Sequence, residues 1–233
     1  MNKEFAAKLA LACNIVAAEG HSDISLGHLT ARLPGEDRIY MKPAGLGLEE
    51  ITADDIIVID LDGNKLEGER KRHGEYPIHT EIYRRRPEVN CVVHTHPPYA
   101  TALGASDATL RPVSHEGVLF ADAPVFRDTT ALILDPPQGR AVAECLGQHN
   151  ALLMQNHGVV VVGTSIEQAT VYAVLLEKAA RAQFLTNGFG KMIWSPDEEI
   201  PFKVEQIYRP DNIHTFFEYY ARKLQRSRQQ ILR

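Results

Sequence analysis

The sequence predicts an α/β fold in a single domain that spans residues 1–233. Three observations support this prediction. The length of 233 residues suits one well-packed domain and is shorter than most two-domain proteins. Apolar patterns of helical and of strand type both recur along the chain. No internal repeat, low-complexity segment or linker divides it.

The first half of the chain is expected to contain helices, short strands and turns. Phe5, Leu9 and Val16 recur at helical spacing, and Gly20 supplies a C-terminal stop. Pro77 suits the first turn of a later helix, which Pro87 ends. The predicted helices are residues 2–19, 77–86 and 98–103, and the predicted strands are residues 29–33, 38–41, 56–60 and 91–93.

The second half is expected to contain a hairpin or bulged strand and further helices. Thr164 with Glu167 makes a capping box for a long helix that runs to about Thr186. Residues 191–210 are predicted to be rich in loops. The remaining predicted elements are a helix at 138–147, strand segments at 151–154 and 159–162, and a C-terminal tail helix from about 212 to 228.

The composition excludes several classes of protein. A hydrophobic content of 44% and a charged content of 24% are ordinary for a soluble globular domain. The net charge of -5 offers no general attraction to nucleic acid or to an anionic membrane. The three cysteines lie far apart, and neither a secretory signal nor an apolar run of roughly 20 residues is evident. We therefore expect a cytoplasmic protein without nucleic-acid or membrane partners.

Two histidines come directly after a buried strand. Residues 91–93 are apolar, and His94 and His96 follow them at alternate positions. Because alternate residues of a strand point to the same face, both imidazoles can converge on one point. Neutral imidazole is the commonest protein ligand for transition metals. Such pairs also occur on surfaces and in hydrogen-bonded cores, so a metal site requires further ligands.

A third histidine and a glutamate complete a possible metal-binding set. Asn156 and His157 lie between two apolar runs, where desolvated polar groups need partners, and Glu75 lies further upstream. Three imidazoles with one carboxylate or an open position form the ligand set of a catalytic divalent metal. Nitrogen ligands favour zinc, manganese, iron or cobalt over magnesium or calcium. Glu75 can either complete the coordination or move a proton.

The order of these motifs resembles that of the class II aldolase/adducin superfamily. Glu75 precedes His94-Thr95-His96, with the run Tyr83-Arg84-x-Arg86-Pro87 between them. The segment Asn156-His157-Gly158 then follows between two hydrophobic strands. The resemblance covers nearly the whole chain, from the first helix to the helix after Thr164.

The resemblance implies a three-layer α/β/α sandwich around a mostly antiparallel central sheet. It also implies a homotetramer with active sites at the subunit interfaces. It makes His94, His96 and His157 the metal ligands and Glu75 the acid/base carboxylate. From the residues themselves, Glu75 is also predicted as a fourth metal ligand. We expect one divalent transition metal per subunit, with zinc or manganese ahead of iron or cobalt. Because adducin-type heads generally lack the full ligand set, its retention here indicates an enzyme.

The substrate-binding segments depart from those of the sugar-phosphate members of the superfamily. Those members have a Gly-Asn-x-Ser segment and a Ser-Ser pair before the catalytic glutamate. Here His28 replaces the asparagine, and His73-Gly74 replaces the serine pair. The change favours a substrate with carboxylates that cationic side chains bind. For Lys42 and His28 the alternative is an exposed loop residue without a role in binding. The expected substrate-binding residues are Ser25, His28, Lys42, Gly45, His73 and Gly74.

Two further groups have open roles. His115, in the segment Ser114-His115-Glu116-Gly117, is predicted to donate a proton or bind substrate, with a structural histidine as the alternative. The aromatic tail around Tyr208, Tyr219 and Tyr220 either closes the site of a neighbouring subunit or packs against its own chain.

The expected function is metal-dependent decarboxylation of a hydroxylated aromatic or heteroaromatic carboxylate such as a dihydroxyphthalate, within aromatic compound catabolism. All enzymes of the superfamily stabilise an enolate-like anion after a carbon–carbon bond breaks. Three alternatives stay open: an aldolase or epimerase acting on a non-phosphorylated or acidic sugar, an adducin-like interaction module without catalysis, and a metal-dependent oxygenase.

Overall fold

The computed structural model describes residues 1–231 as a mixed α/β fold around one eight-stranded sheet. The strands are β1 (His28–Arg32), β2 (Ile39–Met41), β3 (Ile57–Ile59), β4 (Lys65–Glu67), β5 (Cys91–Thr95), β6 (Val125–Phe126), β7 (Ala151–Met154) and β8 (Gly158–Gly163). The helices are α1 (Lys3–Val16), α2 (Tyr76–Arg85), α3 (Pro98–Gly104), α4 (Pro136–Leu146), α5 (Ile166–Asn187), α6 (Ile200–Ile207) and α7 (Pro210–Ile231).

The sheet is antiparallel except at one edge. Its strand order is β4-β3-β2-β1-β5-β8-β7-β6, and β6 pairs with β7 in parallel. In the centre, β5 lies between β1 and β8, so that His94 faces His28 on one neighbour and Val160 on the other. This topology confirms the mostly antiparallel central sheet.

Helices cover both faces of the sheet. Helices α1, α3, α5 and α7 pack on one face, whereas α2 and α4 pack together on the other. Alternate strand residues supply the two cores, because successive side chains of a strand point in opposite directions. Leu29 and Val93 belong to the first core, and Val92 and Val160 belong to the second. The three-layer α/β/α arrangement is therefore confirmed.

The predicted capping box of the long helix is wrong. Ser165, which has the extended backbone that an N-cap requires, caps α5 by accepting a hydrogen bond from the Gln168 N–H. Thr164 instead donates its own N–H to Gln168 Oε1. The chain therefore enters α5 one residue later than the predicted cap, and Glu167 pairs with Lys8 of α1.

Other boundaries differ where packing outweighs the local pattern. Helix α1 ends at Val16, and a wider π-helical turn continues to His21, with Gly20 at a φ of 102°. Strands β4 and β6 and helix α6 occur where no element is predicted. Strand β4 forms a short hairpin with the preceding β3, β6 pairs with the more distant β7, and α6 packs near Glu116–Leu119. Helix α7 extends beyond the predicted tail helix at both ends. Within residues 1–231, no helix is long and apolar enough to cross a bilayer.

Candidate metal and active site

Three histidines meet at one end of the central strands. His94 lies in β5, His96 follows the end of that strand, and His157 lies in the tight turn between β7 and β8. The turn is sharp because Asn156 adopts a positive φ of 53°. Close packing then requires a glycine at position 158, since a Cβ atom there would lie 2.5 Å from both a His96 ring carbon and the Thr95 carbonyl oxygen.

The arrangement of these imidazoles suits a bound cation. One ring nitrogen from each of His94, His96 and His157 lies within 4.8 Å of the others. His94 Nδ1 donates to the carbonyl oxygen of Val159 at 3.0 Å, so the lone pair of the neutral ring is on Nε2. Among the described residues, the buried Nε2 atoms of His94 and His157 have no hydrogen-bond partner. Orphaned nitrogens that converge in this way fit a transition metal.

Burial keeps two of these rings in the form that binds metal. Desolvation lowers the pKa of His94 well below its ordinary value, because the charged imidazolium is disfavoured away from water. Burial also lowers the pKa of His96, although Asp23 opposes this change with a carboxylate oxygen 2.9 Å from His96 Nδ1. Neutral imidazoles are available for coordination without first losing a proton.

Glu75 is the carboxylate beside the three histidines. It immediately precedes α2, is only 3% exposed, and accepts a hydrogen bond from the Ile133 N–H at 2.9 Å. Its Oε1 lies 3.4 Å from His157 Nε2, and its Oε2 lies 3.8 Å from His94 Nε2. Burial by itself raises the pKa of Glu75, but the adjacent His157 and His94 rings and the Ile133 N–H lower it to about 2. Glu75 is therefore an ionised base at neutral pH.

His28 and His73 line the same site. His28 Nε2 lies 3.7 Å from Glu75 Oε2, and the groups of His28, Glu75 and His94 form a second set that could hold a metal ion. The rings of His28 and His73 are 3.8 Å apart at their centroids. Burial, and next the charge of Lys42, lowers the pKa of His73 to about 4. The structure therefore brings both predicted substrate-binding histidines to Glu75, and His28 is not in an exposed loop.

Lys42 is a buried cation. It has no exposed surface, and its Nζ donates to the backbone carbonyl oxygen of Ser25 at 2.8 Å. Within residues 1–231 it forms no close ion pair with a carboxylate, although the charges of Glu49 and Glu50 act on it from a longer distance. Burial lowers the pKa of Lys42 to about 8. The alternative of an exposed loop lysine is therefore wrong, and a positive charge without a carboxylate partner lies close enough to affect His73.

A known protein family matches most of this chain. The family described as Class II Aldolase and Adducin N-terminal domain matches residues 7–184. The chain belongs to the class II aldolase and adducin family. The resemblance drawn from the motifs is confirmed, and the matched range contains every histidine of the candidate metal site.

Individual members of the family extend the comparison. A 3,4-dihydroxyphthalate decarboxylase from Arthrobacter keyseri is 33% identical over 210 residues, which cover 82% of this chain and 83% of that protein. Decarboxylase NovR from Streptomyces niveus is 34% identical over 174 residues, which cover 73% of this chain but only 63% of NovR. An L-fuculose 1-phosphate aldolase from Glaciozyma antarctica PI12 has a TM-score of 0.85 and 25% identity, covering 98% of this chain and 91% of that one. Decarboxylases and aldolases are both lyases.

In this member of the class II aldolase and adducin family, the predicted residue His115 lies apart from the metal histidines. His115 is exposed and lines a separate cleft of about 560 Å³ with Tyr208, Tyr219 and Tyr220. Its carbonyl oxygen accepts a hydrogen bond from the Tyr208 hydroxyl at 2.9 Å. Within one described chain, therefore, His115 is not part of the cluster around Glu75.

The two predicted glycines also have different surroundings. Gly45 is exposed, has a φ of 86° and lines a cleft with charged residues of the 54–55 and 69–71 segments. A Cβ atom at Gly74 would contact a methyl group of Leu134 at 3.4 Å, so this position is only moderately crowded.

The sequence interpretation missed three contributors to the site. Asp23 contacts His96, the Ile133 N–H holds Glu75, and His79 is hydrogen-bonded to His28 at 2.7 Å. His79 follows Glu75 by one helical turn, so the spacing of four residues could have indicated it. Asp23 and Ile133 have no comparable local signal, because both reach the site from irregular segments.

Proposed function

We propose that this chain is a metal-dependent carbon–carbon lyase that decarboxylates a hydroxylated aromatic or heteroaromatic carboxylate, such as a dihydroxyphthalate. The observation that carries the proposal is the buried ammonium group of Lys42, which has no carboxylate partner within residues 1–231 and acts on His73 beside Glu75. A buried charge is costly unless it is paired, so this site favours an anionic ligand. The two relatives named as decarboxylases support the reaction type.

His94, His96 and His157 would hold one divalent transition metal, with zinc or manganese ahead of iron or cobalt, and Glu75 would be a fourth ligand or the acid/base group. Such an ion, when bound, acts as a Lewis acid that favours negative charge on a substrate oxygen. These ligands do not select among the four metals, because imidazole nitrogens coordinate all of them.

The side chains then have separate tasks. His73 binds a substrate carboxylate, and the buried positive charge of Lys42 attracts it without direct contact. Glu75, ionised at neutral pH, takes the proton of the ring hydroxyl. Glu75 returns that proton to the ring carbon that carries the leaving carboxylate. The carbon–carboxylate bond then breaks, its electron pair restores the aromatic ring as a phenolate, and CO2 leaves. Solvent protonates the phenolate.

Release of CO2 tests the proposal. Purified protein is incubated with dihydroxyphthalates and hydroxypyridine dicarboxylates, with added zinc or manganese and after chelation. We expect CO2 with metal and none after chelation, and a loss of at least about a hundredfold in Glu75→Gln, because an acid/base group contributes a factor of that size. If no ortho-hydroxy aromatic diacid releases CO2, the decarboxylase proposal is wrong.

An aldolase acting on a non-phosphorylated or acidic sugar is the second candidate. The structural similarity to a fuculose-phosphate aldolase favours it, since the same metal and carboxylate can support both cleavages. An aldehyde product, followed with a coupled reductase, would identify this activity.

The adducin-like alternative predicts neither bound metal nor turnover, so metal analysis of the purified protein separates it from both enzymes. Oxygen consumption would reveal an oxygenase.

We also propose a cytoplasmic homotetramer with its active sites at the subunit interfaces. Large apolar side chains between α5 and α6 support such an assembly, since Phe189 is 91% exposed and Ile193 is 82% exposed. In the assembly, His115 of one subunit would act at the Glu75 site of a neighbour. Light scattering tests the tetramer. Mixed oligomers of Glu75→Gln and His115→Asn subunits should regain activity that neither variant has alone, whereas no recovery would contradict a shared site.

A further inference from the structure

Four buried side chains form a line of hydrogen bonds that leads to the active site. His28 Nδ1 lies 2.7 Å from His79 Nε2, and His79 Nδ1 lies 2.7 Å from Thr30 Oγ1. Thr30 Oγ1 lies 2.8 Å from the hydroxyl of Tyr83. His28, Thr30 and His79 have no exposed surface, and Tyr83 is 1% exposed. We call these four residues the relay.

Regular geometry brings the members of the relay together. His28 and Thr30 are alternate residues of β1 and point to the same face of the sheet. His79 and Tyr83 are one turn apart on α2, which packs over that face. Glu75 precedes them by one more turn, so the relay ends beside the carboxylate of the active site.

The phenol proton of Tyr83 determines the direction of every hydrogen bond in the relay. Within residues 1–231, Thr30 Oγ1 is the side-chain partner of the Tyr83 hydroxyl, and the backbone of Val92 can only donate to the phenol oxygen, so Thr30 is the acceptor left for the phenol proton. A buried phenol that did not donate would leave its proton unsatisfied, at a cost comparable to a lost hydrogen bond. Tyr83 therefore donates to Thr30, and the Thr30 hydroxyl donates to His79 Nδ1. Nδ1 of His79 is then an acceptor, so the proton of this imidazole is on Nε2.

The relay also fixes the position of the proton on His28, which lies in the active site. His79 Nε2–H donates to His28 Nδ1, which leaves the proton of His28 on Nε2. That atom is buried and, among the described residues, has no hydrogen-bond partner. Glu75 Oε2 is 3.7 Å away, which is beyond hydrogen-bond distance. A neutral His28 thus presents an unused N–H to the site.

We propose that Tyr83, Thr30 and His79 are positioning residues that hold His28 as the Nε2–H tautomer, which makes His28 a hydrogen-bond donor to an anionic oxygen of the substrate and not a metal ligand. A protonated Nε2 cannot coordinate a metal, so the group of His28, Glu75 and His94 is excluded as the metal site. The group of His94, His96 and His157 remains as the metal site. This inference rests on the proposed function in one respect, namely that the acceptor is a substrate carboxylate.

The tautomer can be measured without turnover. Proton–nitrogen correlation spectra of the protein labelled with 15N-histidine identify which ring nitrogen of His28 carries hydrogen, and His28→Asn identifies the signal by its disappearance. We expect hydrogen on Nε2 of His28 before and after zinc is added, whereas zinc should shift the signals of His94, His96 and His157. Hydrogen on Nδ1 of His28, or its loss from Nε2 when zinc binds, would overturn the proposal.

Substitutions of Thr30 test the role of the relay. Thr30→Val removes the hydroxyl with little change in shape, so we expect the Nδ1–H tautomer of His28 to appear. We also expect phthalate, a dicarboxylate that carries no ring hydroxyl, to bind about tenfold more weakly, because a hydrogen bond to a charged acceptor is worth a factor of that size. Thr30→Ser keeps the hydroxyl and should behave as the parent does. An unchanged His28 tautomer in Thr30→Val would refute the role of the relay.

Further measurements separate the role of the relay from misfolding and from loss of metal. Tyr83→Phe removes the phenol proton that fixes the direction of the relay, so the Nδ1–H tautomer of His28 should appear in this variant as well. A His28 that stays entirely in the Nε2–H form in Tyr83→Phe would refute the role of the phenol. Zinc content should stay at the parent value in all three variants, and thermal unfolding shows whether each one folds. Failure of the protein to release CO2 would refute the decarboxylase proposal while leaving the measured tautomer of His28 unaffected.

Discussion

Replacement of Lys42 by methionine is expected to raise the stability of this protein and to weaken its binding of carboxylates. The pKa of Lys42 falls from 10.5 to about 8 because burial penalises the ammonium ion. That difference corresponds to a loss of about 3 kcal/mol of folding free energy at neutral pH. Lys42→Met removes this penalty and the hydrogen bond to Ser25, which contributes about 1 kcal/mol. We therefore expect a net stabilisation of about 2 kcal/mol.

The stabilisation should depend on pH in a defined direction. The folded state holds the Lys42 proton less tightly than the unfolded state, so the penalty is complete below pH 8 and disappears as pH approaches 10.5. For a chain of this length, about 2 kcal/mol raises Tm by roughly 5 °C. The advantage of Lys42→Met should therefore be present at pH 7 and should shrink in alkaline buffer.

The same variant should lose affinity for anionic ligands. If the charge of Lys42 attracts a substrate carboxylate, Lys42→Met weakens phthalate binding by about tenfold, because a buried positive charge near the site is lost. Calorimetry measures the binding, and thermal unfolding measures the stability. The matched control is Lys8→Met, which removes an exposed lysine paired with Glu167 and should change neither quantity strongly. A destabilised Lys42→Met protein, or one with parental phthalate affinity, would refute the reasoning.

Three further predictions concern the metal site. Glu75→Gln should retain zinc while CO2 release falls about a hundredfold or more, as metal analysis and a CO2 assay would show. Complete loss of zinc would instead make Glu75 an essential ligand. His157→Asn should lose most bound zinc, whereas the exposed His149→Asn should keep it, and equal zinc content in the two would exclude His157 as a ligand. Gly158→Ala should lower the free energy of unfolding by more than about 2 kcal/mol and reduce zinc content, because the new Cβ atom would lie 2.5 Å from the ring of His96. A variant as stable as the parent protein would contradict this crowding.

The fold follows largely from short-range patterns in the sequence. Buried strands, helix starts and the polar turn around His157 are indicated by residues that are neighbours in sequence, and the structure contains them close to the predicted positions. The errors lie where local signals compete. Thr164 and Ser165 are both suitable caps, and only the backbone conformation of Ser165 selects it. Strand β6 forms because the distant strand β7 is present, which no local pattern records. Strand β4 pairs with the neighbouring β3, but it is short and largely exposed and so carries no apolar pattern.

At the site, the shared face of His94 and His96 is predictable from the sequence, because strand periodicity is a local property. The folded chain is needed to show that Lys42 is buried without a close carboxylate partner among the described residues, and that Asp23 contacts His96. It is also needed to show that His79 joins His28. The physical reason is that burial, ion pairing and hydrogen-bond direction depend on groups that are distant in the chain, and these meet only when β1, α2 and β5 pack together.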